Sequence, residues 1–166
     1  MKLASLAFVA LASLSLVAGC NKTSSDVTTT SADTTPPAKP STGAPVAFQV
    51  TSTSAKGIEV RAYNFSDKTV AQYSILIRYL DAGGKPVRVK VGTPFESDFA
   101  RWSMSGLKYK CAAKSWCTFT IDPHDVPSGV SKTEVLAERV TALKADGIMF
   151  EEQPLFELPY ADKWPG

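Results

Sequence analysis

Residues 71–80 read Ala-Gln-Tyr-Ser-Ile-Leu-Ile-Arg-Tyr-Leu, and the alternation within this stretch decides the fold class. Successive side chains of a β-strand point to opposite faces, so a strand with one buried face carries apolar residues at every second position. That is the pattern here, on Ala71, Tyr73, Ile75, Ile77 and Tyr79. The stretch therefore predicts a half-buried β-strand.

The same period-two alternation recurs along most of the chain that follows residue 45. It is present at residues 46–50, 58–62, 87–91 and 117–121. Turn-forming residues separate these segments at 64–68, 81–85 and 146–147. Many short strands joined by hairpin-like turns are typical of antiparallel sandwiches. We therefore predict an all-β, immunoglobulin-like β-sandwich over residues 46–166.

One segment near the C-terminus fits two structures. Leu136, Val140 and Leu143 are spaced as on a helix within residues 133–144. The alternative is a strand, with Asp146-Gly147 as the hairpin turn into a further strand at 148–150. We favour the strand because the rest of the domain is β. The last stretch is expected to be extended and to close over the edge of the sandwich, because it contains Pro154, Pro159 and Pro165.

The N-terminus has the three parts of an export signal. Met1-Lys2 is basic, residues 3–17 carry no charge, and the stretch ends in Leu16-Val17-Ala18-Gly19-Cys20. This ending resembles the lipobox of bacterial lipoprotein precursors. The resemblance implies a signal peptide at residues 1–19 and lipid modification, including palmitate, of Cys20. Asn21 then favours the outer membrane, with the protein facing the periplasm.

Residues 20–45 differ in composition from the rest of the chain. They are rich in Ser, Thr and Pro, and Val27 is their only sizeable aliphatic residue. Such a segment buries too little apolar surface to offset the entropy of ordering. It is expected to be a flexible linker between the membrane anchor and the sandwich. The formal net charge of +2 is too small to indicate a nucleic-acid partner.

Part of the predicted sandwich resembles a known type of envelope domain. Residues 64–70 form a polar turn, residues 75–81 read Ile-Leu-Ile-Arg-Tyr-Leu-Asp, and residues 84–87 read Gly-Lys-Pro-Val. This order resembles the FxLYD-type and related immunoglobulin-like domains of bacterial envelope proteins. The resemblance implies the sandwich fold and carries no catalytic residues.

Cys111 and Cys117 are the two cysteines of the predicted domain. Both fall on the apolar positions of their segments, and a hairpin would bring them opposite each other. We predict a structural disulfide. A redox-active pair is the alternative, but redox motifs usually place two residues between the cysteines.

His124 is the single histidine, and it lies between Asp122 and Asp125. It is the one residue on which a metal site or an enzyme mechanism could rest. One histidine cannot form a multi-histidine metal site, and no nucleophile motif accompanies it. We therefore expect no metal, no cofactor and no catalytic activity.

Residues 92–106 carry aromatic side chains without strand alternation. Phe99 and Trp102 are three apart, as on one turn of a short helix capped by Ser97. Such a turn either closes the core or presents an aromatic surface, extended by an outward-facing Trp116, to an envelope protein or glycan partner. The sequence thus favours a non-catalytic binding or assembly module, with a structural spacer as the alternative.

Overall fold

The computed structural model describes residues 34–91, 94–123, 126–160 and 162–165. The predicted signal peptide, Cys20, the linker up to residue 33 and His124 lie outside these residues. Thr34–Gly166 forms one compact unit. Contacts with the sandwich begin ahead of Val46, because Ala44 is buried and the Phe65 amide donates to the Pro45 carbonyl over 2.7 Å.

The described residues form β-strands and one short 3₁₀ helix, Leu107–Tyr109, and include no α-helix. The strands are β1 (Val46–Ser54), β2 (Gly57–Asn64), β3 (Val70–Leu80), β4 (Val89–Lys90), β5 (Glu96–Ser97), β6 (Ala100–Ser105), β7 (Trp116–Ile121), β8 (Lys132–Ala142) and β9 (Phe156–Glu157). The all-β prediction is confirmed. The ambiguous segment 133–144 is a strand up to Ala142, which confirms the interpretation that we favoured.

Two antiparallel sheets form the sandwich. One has the strand order β1-β2-β7 and the other β6-β3-β8-β9, while β4 and β5 form a separate two-stranded ribbon. Chain neighbours β6 and β7 lie in different sheets, and β8 returns to pair with β3. This arrangement is immunoglobulin-like.

A β-bulge interrupts the alternation within residues 133–144. Ser74 lies opposite Arg139 while Ile75 lies opposite Ala137, so Glu138 is an extra residue in β8. The extra residue shifts the alternation, since a bulge places two residues opposite one. Leu136 therefore lies on the outer face, whereas Val140 lies on the inner face with Ala137. The helix-like spacing of Leu136 and Val140 thus joins two faces of a bulged strand.

The core lies between the inner faces of the two sheets. It is formed by inward residues of both sheets, among them Val46, Ile58, Val60, Val70, Tyr73, Ile75, Ile77, Tyr79, Ile121, Val135 and Val140. Leu76 is also fully buried but points to the outer face of β3, opposite Leu136. Another segment of the chain must therefore cover the outer face of β3.

The C-terminal segment, residues 158–160 and 162–165, lies over this outer face. The Arg78 guanidinium is 4.3 Å from the Trp164 ring centre, and that of Arg101 is 4.2 Å from the Tyr160 ring. The segment thus covers a sheet face, where we expected it to close an edge. The strand expected at 148–150 is reduced to a single bridge: Asp146-Gly147 forms the turn and Phe150 pairs with Leu143, but Ile148 is exposed and the next strand, β9, begins at Phe156.

The sandwich has two ends, which the strand pairing defines. At the disulfide end, β1 begins at Val46 opposite Asn64. The cleft end is the other one, where β3 finishes at Leu80 opposite Lys132. The 11 residues of β3 span the two ends, a distance of about 35 Å at the usual rise per residue. The N-terminal segment therefore enters the sandwich at the disulfide end.

The disulfide between Cys111 and Cys117 joins the two sheets. Their Cα atoms are 5.3 Å apart. Cys111 pairs through its backbone with Val70 of the four-stranded sheet, whereas Cys117 lies opposite Ala62 in the other sheet. The predicted pairing is present, but the hairpin we expected to create it is not.

Candidate functional site

A cleft lies at the end of the sandwich where β3 finishes, around the first residues of β6. Its volume is about 1040 Å³. The lining comes from the end of β3, the β4–β5 ribbon, the start of β6, the chain after β7 and the C-terminal segment. The residues that line the cleft are Ile77, Tyr79, Arg88, Val89, Lys90, Val91, Ser97, Phe99, Ala100, Arg101, Trp102, Pro123, Val126, Pro127, Ser128, Tyr160 and Asp162. Two of the three aromatic residues singled out from the sequence thus line one cavity.

The β4–β5 ribbon forms one wall of the cleft. We expected a strand over 87–91, but β4 covers only Val89–Lys90. Arg88 holds the ribbon together: its side chain lies 3.4 Å from the Glu96 carboxylate and donates to the Glu96 carbonyl over 2.9 Å. Val89 is buried, while Val91 is about half exposed at 52%. The ribbon therefore adds an apolar inner side and a polar rim.

The helical turn expected at Phe99 and Trp102 is wrong, because this stretch runs into strand β6. Ser97 still accepts the Phe99 amide over 3.3 Å, so the predicted cap is present without the helix. Residues three apart in a strand point to opposite faces. Trp102 lies opposite Ile75 and packs against the core from the inner face. Phe99 packs against Trp164 on the outer side, with ring centres 6.1 Å apart.

Phe99 is only 4% exposed, so it cannot be part of an exposed aromatic surface. Its neighbour Arg101 covers it, with the guanidinium 5.3 Å from the ring. Trp102 is half-buried and faces the cleft. Of these two residues, Trp102 has the more exposed side chain in the cleft.

Tyr79 is the residue of the cleft that the sequence did not single out. It is 1% exposed, and its hydroxyl forms no hydrogen bond within the part of the chain that the structure describes. Burial raises the pKa of Tyr79 to about 12. The hydroxyl therefore stays protonated at neutral pH and remains a hydrogen-bond donor. Alternation identified Tyr79 as core, but alternation does not reveal whether a buried hydroxyl has a partner.

The cations of the cleft differ in how they are partnered. Arg88 lies near Glu96 and Asp98, and Arg101 lies 2.8 Å from the Glu138 carboxylate. Lys90 is exposed and forms no ion pair with any residue in the described ranges. The arginines are thus structural, whereas Lys90 is available to a ligand.

Trp116 lies away from the cleft, on the outer face of the three-stranded sheet near the disulfide end. The Arg61 guanidinium is 4.1 Å from its ring, and the Tyr63 ring centre is 5.3 Å away. Its Nε1 is buried without an acceptor among the described residues. Trp116 faces outward, as expected, but it cannot join Trp102 in one binding surface.

The described residues include neither a cluster of metal-ligating side chains nor a membrane-spanning helix. No group of three or more His, Cys, Asp or Glu side chains among them is arranged to hold a metal ion. His124, on which the metal and enzyme alternatives rest, lies outside the described residues. No helix among the described residues is long and apolar enough to cross a membrane.

Comparisons with known proteins do not add a family to this picture. No protein-family model matches the chain, and no curated protein or solved structure matches it. The resemblances to lipoprotein precursors and to FxLYD-type domains therefore stay predictions from the sequence.

Proposed function

We propose that the chain is a lipid-anchored protein of the bacterial cell envelope whose sandwich is a non-catalytic binding module. The lipobox-like stretch ending at Cys20 supports the anchor, and Asn21 supports the outer membrane with the sandwich in the periplasm. The stretch between Cys20 and the compact unit that begins at Thr34 serves as the linker. A flexible chain of about 14 residues has a typical reach of about 20 Å.

The cleft is the observation that carries the binding function. It is large enough for a small molecule or for a side chain of a partner, since ligand sites usually measure about 300–1,000 Å³. It also lies at the end opposite Val46, where the N-terminal segment enters. A module tethered at one end and open at the other presents its cleft away from the tether. The partner is an envelope protein, a glycan or a smaller envelope molecule.

A structural spacer remains the second candidate function. The observation that favours it is the disulfide between the two sheets, which makes the sandwich a rigid body of the kind that a spacer requires. A spacer needs no cleft, so blocking or labelling the cleft distinguishes the two functions.

The anchor is tested by the Cys20→Ser variant. We expect metabolic labelling with radioactive palmitate to mark the wild-type protein and not the variant, and the variant to leave the detergent-soluble membrane fraction. Cys111→Ala/Cys117→Ala is the matched control, since it removes the other two cysteines and leaves labelling intact. Equal labelling of Cys20→Ser would overturn the proposed anchor.

The binding function is tested by photo-crosslinking in intact cells. A photoreactive phenylalanine replaces Tyr160, which is 77% exposed at the cleft, or Leu107, which is 61% exposed at the disulfide end. We expect a discrete crosslinked product from position 160 alone, with its partner identified by mass spectrometry. Crosslinks of equal yield from both positions, or none from position 160, would favour the spacer.

A further inference from the structure

We propose that the cleft binds a small amphiphilic anion, meaning a molecule with an apolar or aromatic body and one acidic group. This inference rests on the proposed binding function and names the class of ligand. It follows from three features of the cleft: its apolar inner wall, the one lysine at its mouth without an ion pair in the described ranges, and the buried tyrosine hydroxyl.

The inner wall selects the apolar body. Trp102 presents its indole from the inner face of β6, and Val89 is buried in the ribbon opposite. Val126 and the ring of Pro127 add aliphatic surface from the chain that follows β7. Burying apolar surface against such a wall contributes about 25 cal/mol per Å². A flat aromatic ring or a short acyl chain gains most from it.

The mouth selects the acidic group. Arg88 and Arg101 already face carboxylates of their own, so a ligand anion would have to displace Glu96 or Glu138 to reach them. Lys90 lies across the ribbon from Glu96 but forms no ion pair with any carboxylate in the described ranges. Asp162 is the carboxylate among the cleft-lining residues, and it repels a second acidic group. The arrangement fits one negative charge.

The hydroxyl of Tyr79 adds a requirement for an acceptor atom. A buried donor without a partner is destabilising, and a ligand atom that accepts its hydrogen bond removes that penalty. Tyr79 lines the cleft, and its hydroxyl forms no hydrogen bond within the described part of the chain. Because the hydroxyl is itself covered, only a ligand whose oxygen or nitrogen reaches past the surface of the cleft accepts this hydrogen bond and binds more tightly than a pure hydrocarbon.

Two fluorescent dyes of nearly the same shape provide the test. 8-Anilinonaphthalene-1-sulfonate carries an acidic group, and N-phenyl-1-naphthylamine is its neutral counterpart. Both are titrated into the full chain carrying Cys20→Ser, which lacks the lipid that would itself bind dye. Saturable binding of the anionic dye is expected. Lys90→Gln should raise its dissociation constant about three- to fivefold, as for an exposed ion pair.

The variants separate the cleft from other dye sites. Val126→Trp fills the cleft at a half-buried position and should abolish saturable binding of both dyes. Lys90→Gln should leave the neutral dye within about twofold of its original affinity, because only the charge is lost. Lys110→Gln, an exposed lysine at the disulfide end, is the matched control and should change neither dye. Thermal melting verifies that each variant is folded.

The outcomes separate this inference from the proposed function. Unchanged dye binding in folded Val126→Trp would overturn the ligand class, because the dye would then bind outside the cleft. Equal weakening of both dyes by Lys90→Gln would also overturn it, since the charge would not be recognised. In either case a crosslink from position 160 in cells would leave the binding function standing.

Discussion

Tyr73 and Tyr79 lie on the same face of the same strand, and the difference between them distinguishes the two ends of the sandwich. Both are inward residues of β3 and both are about 1% exposed. The Tyr73 hydroxyl, toward the disulfide end, donates to the Tyr109 carbonyl over 3.0 Å. The Tyr79 hydroxyl, at the cleft end, has no partner among the described residues. Burial raises the pKa of both hydroxyls, so both are donors at neutral pH.

The two ends also differ in how their polar groups near the core are hydrogen-bonded. At the disulfide end, Asn64 is fully buried and its Nδ2 donates to the carbonyls of Lys68, Cys111 and Ala112. Its Oδ1 accepts from the Ser66 amide over 2.9 Å. The cleft end also has a hydrogen-bonded turn, in which Asp81 accepts the amides of Gly83 and Lys85, but the cavity itself is bordered by the short ribbon and by partly exposed ion pairs. The disulfide end thus contains a buried polar network, whereas the cleft end contains a cavity and a hydroxyl donor with no partner among the described residues.

The largest expected effect is that of removing the Asn64 side chain. Asn64→Ala removes the donor of the Ala112 carbonyl and the acceptor of the Ser66 amide. The carbonyls of Lys68 and Cys111 also lose a hydrogen bond but keep the Ser66 hydroxyl and the Val70 amide as donors. We expect the free energy of unfolding to fall by about 3 kcal/mol, since each unsatisfied buried group costs about 1–3 kcal/mol and water replaces part of the loss. Chemical denaturation measures it.

Ser97→Ala is the matched control for Asn64→Ala at the other end. It removes a side chain that accepts one amide, that of Phe99, over 3.3 Å. We expect a loss below about 0.5 kcal/mol at this half-buried site. Equal losses from the two variants would remove the contrast between the ends.

Removing the disulfide should have the next largest effect. The double variant Cys111→Ala/Cys117→Ala should lose about 2 kcal/mol, because the closed loop between the cysteines is short. Chemical denaturation with and without reductant measures it. The reductant should destabilise the wild-type protein and leave the double variant unchanged. The cleft lies at the other end, so dye binding should persist in the folded double variant; its loss would mean that the ends are coupled.

The smallest effect concerns the ion pairs on the outer face toward the cleft end. Partial burial acts to raise the pKa of Glu134, but hydrogen bonds from Lys132 and Arg78 outweigh it and lower the pKa below its usual 4.5. A lowered pKa in the folded protein stabilises it above the unfolded value, and this contribution is lost as the pH falls through the folded value.

The wild-type protein should therefore lose about 0.5 kcal/mol more than Glu134→Gln between pH 6 and pH 3, in keeping with a half-exposed ion pair. Thermal melts of both proteins across this range measure the difference. A wild-type protein that gains stability over Glu134→Gln on acidification would contradict the sign.

The fold was predictable from the sequence because apolar and polar residues alternate wherever a strand has one buried face and one solvent-exposed face. Residues 71–80 and 58–62 follow that rule and lie where it places them, in β3 and β2. Residues 133–144 could not be decided by alternation alone, because the bulge at Glu138 interrupts it. The disulfide was predictable as a pair. Its role in joining the sheets was not, because it depends on which strand Cys111 pairs with.

The site was less predictable than the fold. Aromatic residues at 99 and 102 drew attention to the right segment, but helical spacing placed them on one face where the strand separates them. Trp116 was read correctly as outward-facing and yet belongs to the other sheet. Tyr79 and Lys90 have ordinary sequence contexts. Within the described residues, the Tyr79 hydroxyl has no hydrogen-bond partner and Lys90 has no ion-pair partner. Only the three-dimensional arrangement reveals this.

The contrast between the two ends is tested by comparing Tyr73→Phe with Tyr79→Phe in one denaturation experiment. Each variant removes a single oxygen from the same face of β3. Tyr73→Phe should lower the free energy of unfolding by about 1 kcal/mol, because it removes a hydrogen bond and leaves the Tyr109 carbonyl without this donor. Tyr79→Phe should leave the free energy of unfolding unchanged or raise it. A loss in Tyr79→Phe as large as that in Tyr73→Phe would show that the Tyr79 hydroxyl already has a partner and is not free for a ligand.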